Sequence, residues 1–178
     1  MVFIISTDAQ IFEFLLRAKP TAMAEIKGSP NYPTINGTLK LYQTDIGVFS
    51  VISVSGLPKI VVNQQKNEIA NKSNLCDQPI YAVHIHNGKE CSGNAEMPFA
   101  NAGTHYNPNN CLHPYHSGDM PPLFSTNGVA WTSFYTDRFN TADVIGLTVI
   151  IHEKLDDFTT QPSGNPGAMI ACGVIRKV

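Results

Sequence analysis

Two histidines one residue apart, His84 and His86, stand inside the β-branched run of residues 80–86. In an extended chain alternate side chains share a face, so both imidazoles project to one side while Ile85 is buried on the other. The other four of the six histidines continue the theme: His105, then His113 and His116 with Asp119, then His152 closing the apolar run of residues 144–151. A single histidine is more often a hydrogen-bonded core residue than a ligand; a full set arranged this way argues for a metal site on a rigid scaffold. Imidazole nitrogen with one carboxylate is the donor set of copper and zinc, not of the all-oxygen cages that hold calcium or magnesium. Six imidazoles exceed one four-coordinate site, so two ions are implied.

The scaffold reads as all-β. Strands are expected over residues 21–26, 37–43, 48–55, 80–86, 129–136, 144–152 and 169–175, rich in β-branched and aromatic residues and separated by Gly, Pro and Asn punctuation. Asn127-Gly128 is a hairpin-turn signal before one of them. Seven or eight antiparallel strands of this kind make a sandwich or barrel. Residues 87–123 lack periodicity, and a loop that long usually carries function. Within it, His113-Pro114-Tyr115-His116-Ser117-Gly118-Asp119 packs two imidazoles and a carboxylate into one turn-rich segment just after His105. Three nitrogens and one oxygen would complete a closed tetrahedral zinc shell; Cys111 is a rival ligand close by. On the strand side His84 and His86 form a two-ligand platform that His152 could join from a neighbouring strand.

With 178 residues, 43% hydrophobic and 15% charged, the chain supports one good core. We divide it into a helical extension over residues 1–20, where Ile11, Phe12, Leu15 and Leu16 share a face ahead of Pro20, and a β-domain over residues 21–178. A net charge of −2 and a pI near 6.3 leave no basic stripe for nucleic acid. The N-terminal apolar groups are broken by Asp8, Glu13 and Arg17, too short to span a bilayer and without the basic region of a secretory signal. A chain complete as written is therefore expected in the cytoplasm. Asn36-Gly37-Thr38 and Asn71-Lys72-Ser73 fit the glycosylation pattern but mean little without a secretory context. Phe49, Val51 and Val54, read as lying on edge strands, could form a homodimer face, although such alternation more often belongs to a core.

The segments Ala82-Val83-His84-Ile85-His86, Gly103-Thr104-His105-Tyr106-Asn107-Pro108, His116-Ser117-Gly118-Asp119, His152-Glu153-Lys154-Leu155-Asp156-Asp157, Gly164-Asn165-Pro166-Gly167 and Ala171-Cys172-Gly173-Val174-Ile175 resemble, in order, the copper/zinc superoxide dismutase family. The resemblance runs from about residue 21 to the C-terminus and implies a Greek-key β-barrel. It implies copper on His84, His86, His105 and His152, and zinc on His105, His113, His116 and Asp119, with His105 bridging. The implied activity is dismutation of superoxide by copper redox cycling, His105 taking up and passing on a proton while it stays on zinc. Asp156 would link a copper histidine to a zinc histidine from behind.

The resemblance also pairs Cys172 with Cys91, leaving Cys76 and Cys111 as a second bridge or as free thiols, with a slight preference for the bridge. One departure bears on rate: Met169 stands where the family carries an arginine beside copper. Without that guanidinium, slow dismutation is expected; Lys154 or Lys89 could replace its charge but not its planar fork. Loops shorter than the family's around residues 153–167 and 113–116 would widen the copper mouth. The same methionine favours an alternative of another class, a copper-storage or structural domain with little turnover, since a thioether suits Cu(I).

Overall fold

The computed structural model describes residues 18–59 and 79–178. Ten strands follow in chain order: β1 (Ala22–Gly28), β2 (Asn36–Thr44), β3 (Gly47–Ser55), β4 (Ile80–Tyr81), β5 (Val83–His86), β6 (Leu123–Phe124), β7 (Ala130–Thr136), β8 (Thr148–His152), β9 (Met169–Val174) and β10 (Arg176–Lys177). The main sheet runs β5-β8-β9-β1-β2-β3-β7, with β10 also on β1, and every pairing is antiparallel. Its neighbours are often distant in sequence, as Greek-key crossovers require. β6 pairs with β4 in a separate two-stranded sheet; β4 leads into β5 and the Thr126–Val129 turn leads from β6 to β7, so this small sheet links the two end strands of the curled main sheet in a β-barrel. In that turn Asn127 and Gly128 both take positive φ (53° and 80°), the conformation for which Asn-Gly is suited.

The barrel interior follows from the two-residue period of the strands. Ala22, Ala24 and Ile26 of β1, Leu39 and Leu41 of β2, Ile52 and Val54 of β3, Val83 and Ile85 of β5, and Val149 and Ile151 of β8 meet in one core. Each fully buried Leu, Ile or Val contributes about 1.5–3 kcal/mol. β5 and β8 are buried on both faces. Inside they meet the core; outside, a second cluster of Phe99, Ala102, Ile150 and Cys172, with Cys91 and Met169 against it, covers the wall. The disulfide Cys91–Cys172 fastens the loop after β5 to β9. The outward residues of β5 are His84 and His86, so the site lies on the barrel wall beneath loops.

Two expectations need correction. Residues 144–152 are not one strand: Thr141–Val144 forms a helical turn, opened by Asn140 N–H donating to the Asp143 carboxylate (2.9 Å), and β8 starts only at Thr148. Ile145 and Leu147 spend their N–H groups on Thr141 and Val144 carbonyls, and Gly146 sits at φ +90°, which bends the chain before the ladder begins. Phe49, Val51 and Val54 do not belong to an edge strand, since β3 is paired on both sides, and Val54 belongs to the core. Cys111 is exposed and has no bridge to another described cysteine. Cys76, the helix expected before residue 18 and the Asn71-Lys72-Ser73 pattern lie outside the described residues. Among those described, no helix is long and apolar enough to cross a membrane.

Candidate metal centre

Two groups of donors converge on the outer face of β5. In the first nest, ring nitrogens of His84, His86, His105 and His152 all lie within 4.8 Å of one another; in the second, ring nitrogens of His105, His113 and His116 and a carboxylate oxygen of Asp119 do the same. His105 is common to both. The sheet ladder sets the first group: β5 and β8 pair with His84 opposite Ile150 and His86 opposite Thr148, which brings His152 alongside. The second group reaches β5 through backbone bonds. Ile85 N–H donates to Gly118 O (2.9 Å), Tyr106 N–H to Ile85 O (2.8 Å) and Asn87 N–H to Thr104 O (2.8 Å), drawing the stretches around His105 and Asp119 onto the strand.

The hydrogen bonds behind the rings decide which nitrogen faces inward. A carbonyl can only accept, so His86 donates from Nδ1 to Gly103 O (2.9 Å) and His152 from Nδ1 to Gly167 O (3.3 Å). Asp156 accepts from His84 Nε2 and from His113 Nε2, each at 2.8 Å, and so joins one ring of each nest. The opposite nitrogens are then bare lone pairs: His84 Nδ1, His86 Nε2, His152 Nε2 and His113 Nδ1. His86 Nε2 and His152 Nε2 face each other at 3.3 Å. His105 stacks on His84 with ring centroids 3.9 Å apart. Its Nδ1 lies 2.8 Å from Asp119 Oδ1 and 3.4 Å from His116 Nδ1, while its Nε2 is buried with no hydrogen-bond partner.

Burial makes this arrangement hostile to protons. Desolvation, joined by the neighbouring rings, pushes His86 down to about 3 and His152 to about 2, and lowers His84 and His116 as well. For Asp156 burial pulls upward, but donors from His84, the Phe158 backbone and His113 outweigh it and hold the carboxyl down at about 2. Asp119 is likewise lowered against its burial, by His105 foremost. Neutral imidazoles and ionised carboxylates are the forms that bind metals.

His84 Nδ1, His105 Nε2 and His113 Nδ1 are buried without a hydrogen-bond partner in the protein. Buried acceptors left unmet cost about 1–3 kcal/mol each, and a cation in each nest would meet all three. The residues therefore fit two ions, one with four nitrogens and one with three nitrogens and an oxygen.

Other residues singled out in the sequence take varied places. Cys111 is absent from both donor groups. Met169 is opposite His152 in register and packs beside the disulfide cluster. Lys154 is exposed, its stem close to Gly167, whose carbonyl orients His152; Lys89 is exposed beyond β5. Sequence reasoning did not find Gly103 and Gly167 as acceptors, nor Arg138, whose Nη1 lies 3.1, 3.4 and 3.5 Å from the carbonyls of Pro114, His116 and Asp119. Backbone carbonyls carry no residue-type signal, and a surface arginine has many ordinary uses. Gly164 shows what crowding demands: at φ +76°, an added Cβ would collide with the Asp156 carboxylate and His113 Nε2.

Residues 54–175 match the family described as copper/zinc superoxide dismutase. The chain is similar to "Superoxide dismutase [Cu-Zn]" of Legionella pneumophila, 37% identical over 112 residues, which are 58% of this chain and 66% of the relative. It is 29% identical over 155 residues to "Superoxide dismutase [Cu-Zn] 2" of Aquifex aeolicus, covering 79% of this chain and 78% of that one. With "Superoxide dismutase [Cu-Zn]" of Deinococcus radiodurans it shares 29% identity over 116 residues, 55% of this chain and 64% of the relative. The chain thus spans just under two thirds of the Legionella and Deinococcus proteins.

Proposed function

The chain belongs to the copper/zinc superoxide dismutase family, and on that premise we propose that it disproportionates superoxide, with copper on His84, His86, His105 and His152 and zinc on His105, His113, His116 and Asp119. In the net reaction one superoxide gives up an electron and leaves as dioxygen. A second takes that electron and two protons and leaves as hydrogen peroxide. When bound, copper supplies the one-electron exchange with each anion in turn, and zinc a fixed positive charge beside the shared imidazole.

The observation that carries this reading is the position of His105, the one residue common to both nests. Its Nε2 has no protein partner, so that atom can take up a proton and hand it to the incoming anion. Its Nδ1 is held on the Asp119 side meanwhile. The Gly103 and Gly167 carbonyls keep His86 and His152 from flipping, so their lone pairs stay aimed inward. Asp156, bonded to His84 and His113, keeps the two nests in register with each other.

Turnover is slowed by Met169, which brings neither charge nor hydrogen-bond donor to the place opposite His152. Electrostatic steering, for which this family is itself a standard example, raises on-rates by roughly 10- to 10³-fold. Pulse radiolysis of the fully metallated chain tests the proposal: superoxide decay should depend on copper and weaken as ionic strength rises. Decay no faster than in free solution at the same pH would reject it. Met169→Arg should raise the rate by about tenfold or more; an unchanged rate would remove the reason offered for slowness. The thioether of Met169 near the first nest also favours a second reading, copper storage or transfer with little turnover. Handing of copper to an acceptor apoprotein, with no catalysed decay, would select it.

A further inference from the structure

His113 is held from behind at three points by a single loop. Its ring donates from Nε2 to Asp156 Oδ1 at 2.8 Å. Its backbone N–H donates to Gln161 Oε1 at 3.0 Å, and Gln161 Nε2 donates back to His113 O at 2.7 Å. A primary amide carries one acceptor and two donors on a planar group, so it can serve both the N–H and the C=O of one residue. The loop is itself stiffened between the two holding residues. Asp157 accepts from the Thr159 and Thr160 N–H groups at 2.9 and 2.7 Å, Gly164 N–H donates to Thr160 O at 2.7 Å, and Asp157 N–H donates to Gly164 O at 2.9 Å. His113 Nδ1, buried and without a hydrogen-bond partner, is the one ring atom left to face the second nest.

Among the described residues, no other ligand of that nest is gripped through its backbone so closely from outside its own segment. His116 N–H donates to the Asp119 carboxylate, three residues on, and the Arg138 contacts to the same segment are longer. With its peptide groups fixed by Gln161 and its ring fixed by Asp156, His113 has little rotational freedom to lose when an ion binds.

We infer that Gln161 is a positioning residue of the zinc centre: it aims His113 Nδ1 at the ion and so sets both affinity and coordination geometry. This rests on the zinc assignment proposed above. Exposed polar side chains seldom matter this much; here the partner is the backbone of a buried ligand.

The test uses the full chain, stripped of metal and titrated with zinc against a chromophoric chelator, and with cobalt(II) for its visible d–d bands. Gln161→Met, which keeps length but offers neither bond, should weaken zinc binding roughly 10- to 100-fold and change the cobalt bands away from those of a tetrahedral site. Gln161→Glu, which keeps the acceptor for His113 N–H but loses the donor, should weaken it too. Circular dichroism of the metal-free proteins serves as the folding control. A natively folded Gln161→Met that binds zinc within twofold of wild type, with unaltered cobalt bands, overturns the inference; if that variant does not fold, Gln161→Glu decides by the same criterion. A wild-type chain that shows no tetrahedral cobalt bands overturns the zinc assignment itself and this inference with it.

Discussion

The two nests present the same kind of donor but are built differently. The first takes His84, His86 and His152 from neighbouring strands β5 and β8; the second takes His113, His116 and Asp119 from a loop. On strands, ring positions are set by a ladder that also holds the barrel core, so the geometry costs little beyond the fold itself. On the loop only short bridges, at His105 and Asp119, tie backbone to β5, and for His113 and His116 side chains from elsewhere supply the constraint: Asp156, Gln161 and Arg138. The contrast teaches that a binuclear centre can draw one half of its order from the sheet and the other from hydrogen bonds to a loop. His105 joins the halves.

The largest effect should come from removing that join. His105→Ala deletes a donor from both nests at once, and with it the atom proposed to carry the proton. Superoxide turnover should fall by about 10²- to 10⁴-fold, the range of a lost acid–base group, read by pulse radiolysis. A loss below tenfold would mean that the halves work without a shared ring.

Acid should distinguish the halves next. In the unfolded chain histidines titrate near 6.5, but folded His86 and His152 are held down to about 3 and 2. Between those values the unfolded chain binds protons that the folded chain refuses, so stability falls as pH drops, by up to about 1.4 kcal/mol per pH unit for each group. Asp156, lowered to about 2, adds to the loss below its ordinary value of 3.8. The urea midpoint of the metal-free chain should therefore decline steadily from pH 6.5 downward, and His86→Gln should flatten the curve. A midpoint constant from pH 7 to 4 would break the claim that burial keeps protons off His86 and His152.

The smallest effect should appear at Arg138. Its long contacts to the loop carbonyls are each worth no more than an ordinary hydrogen bond, about 0.5–1.5 kcal/mol. Arg138→Met should weaken zinc a few-fold and leave copper binding unchanged, measured by competition for each ion. An equal loss at copper would show that the loop's order reaches the strands.

Much of this division was legible in the residues. His84 and His86 alternate within a β-branched run, which fixes a face, and His113, His116 and Asp119 sit too close in sequence to be anything but one segment. An all-β sandwich or barrel followed from turn residues between short apolar runs, Asn127-Gly128 among them, and the choice of a Greek-key barrel came from the family resemblance. The run from Val144 misled because apolar residues look alike in a strand and in a helical turn. Asn140 with Asp143 three residues later was the available signal, a start pattern that outranks hydrophobicity there. Asp156 was legible only through the family motif, since burial between two rings has no local trace. Gln161 had none at all: its partner is a backbone 48 residues away.

Gly164 carries a warning about how such chains are graded. It is no ligand and touches no ion, yet one methyl group there would displace the carboxylate on which His84 and His113 both depend. Surveys that score relatives by their metal-binding letters alone would pass a chain disabled at this bend, so the glycine belongs in the signature beside the histidines.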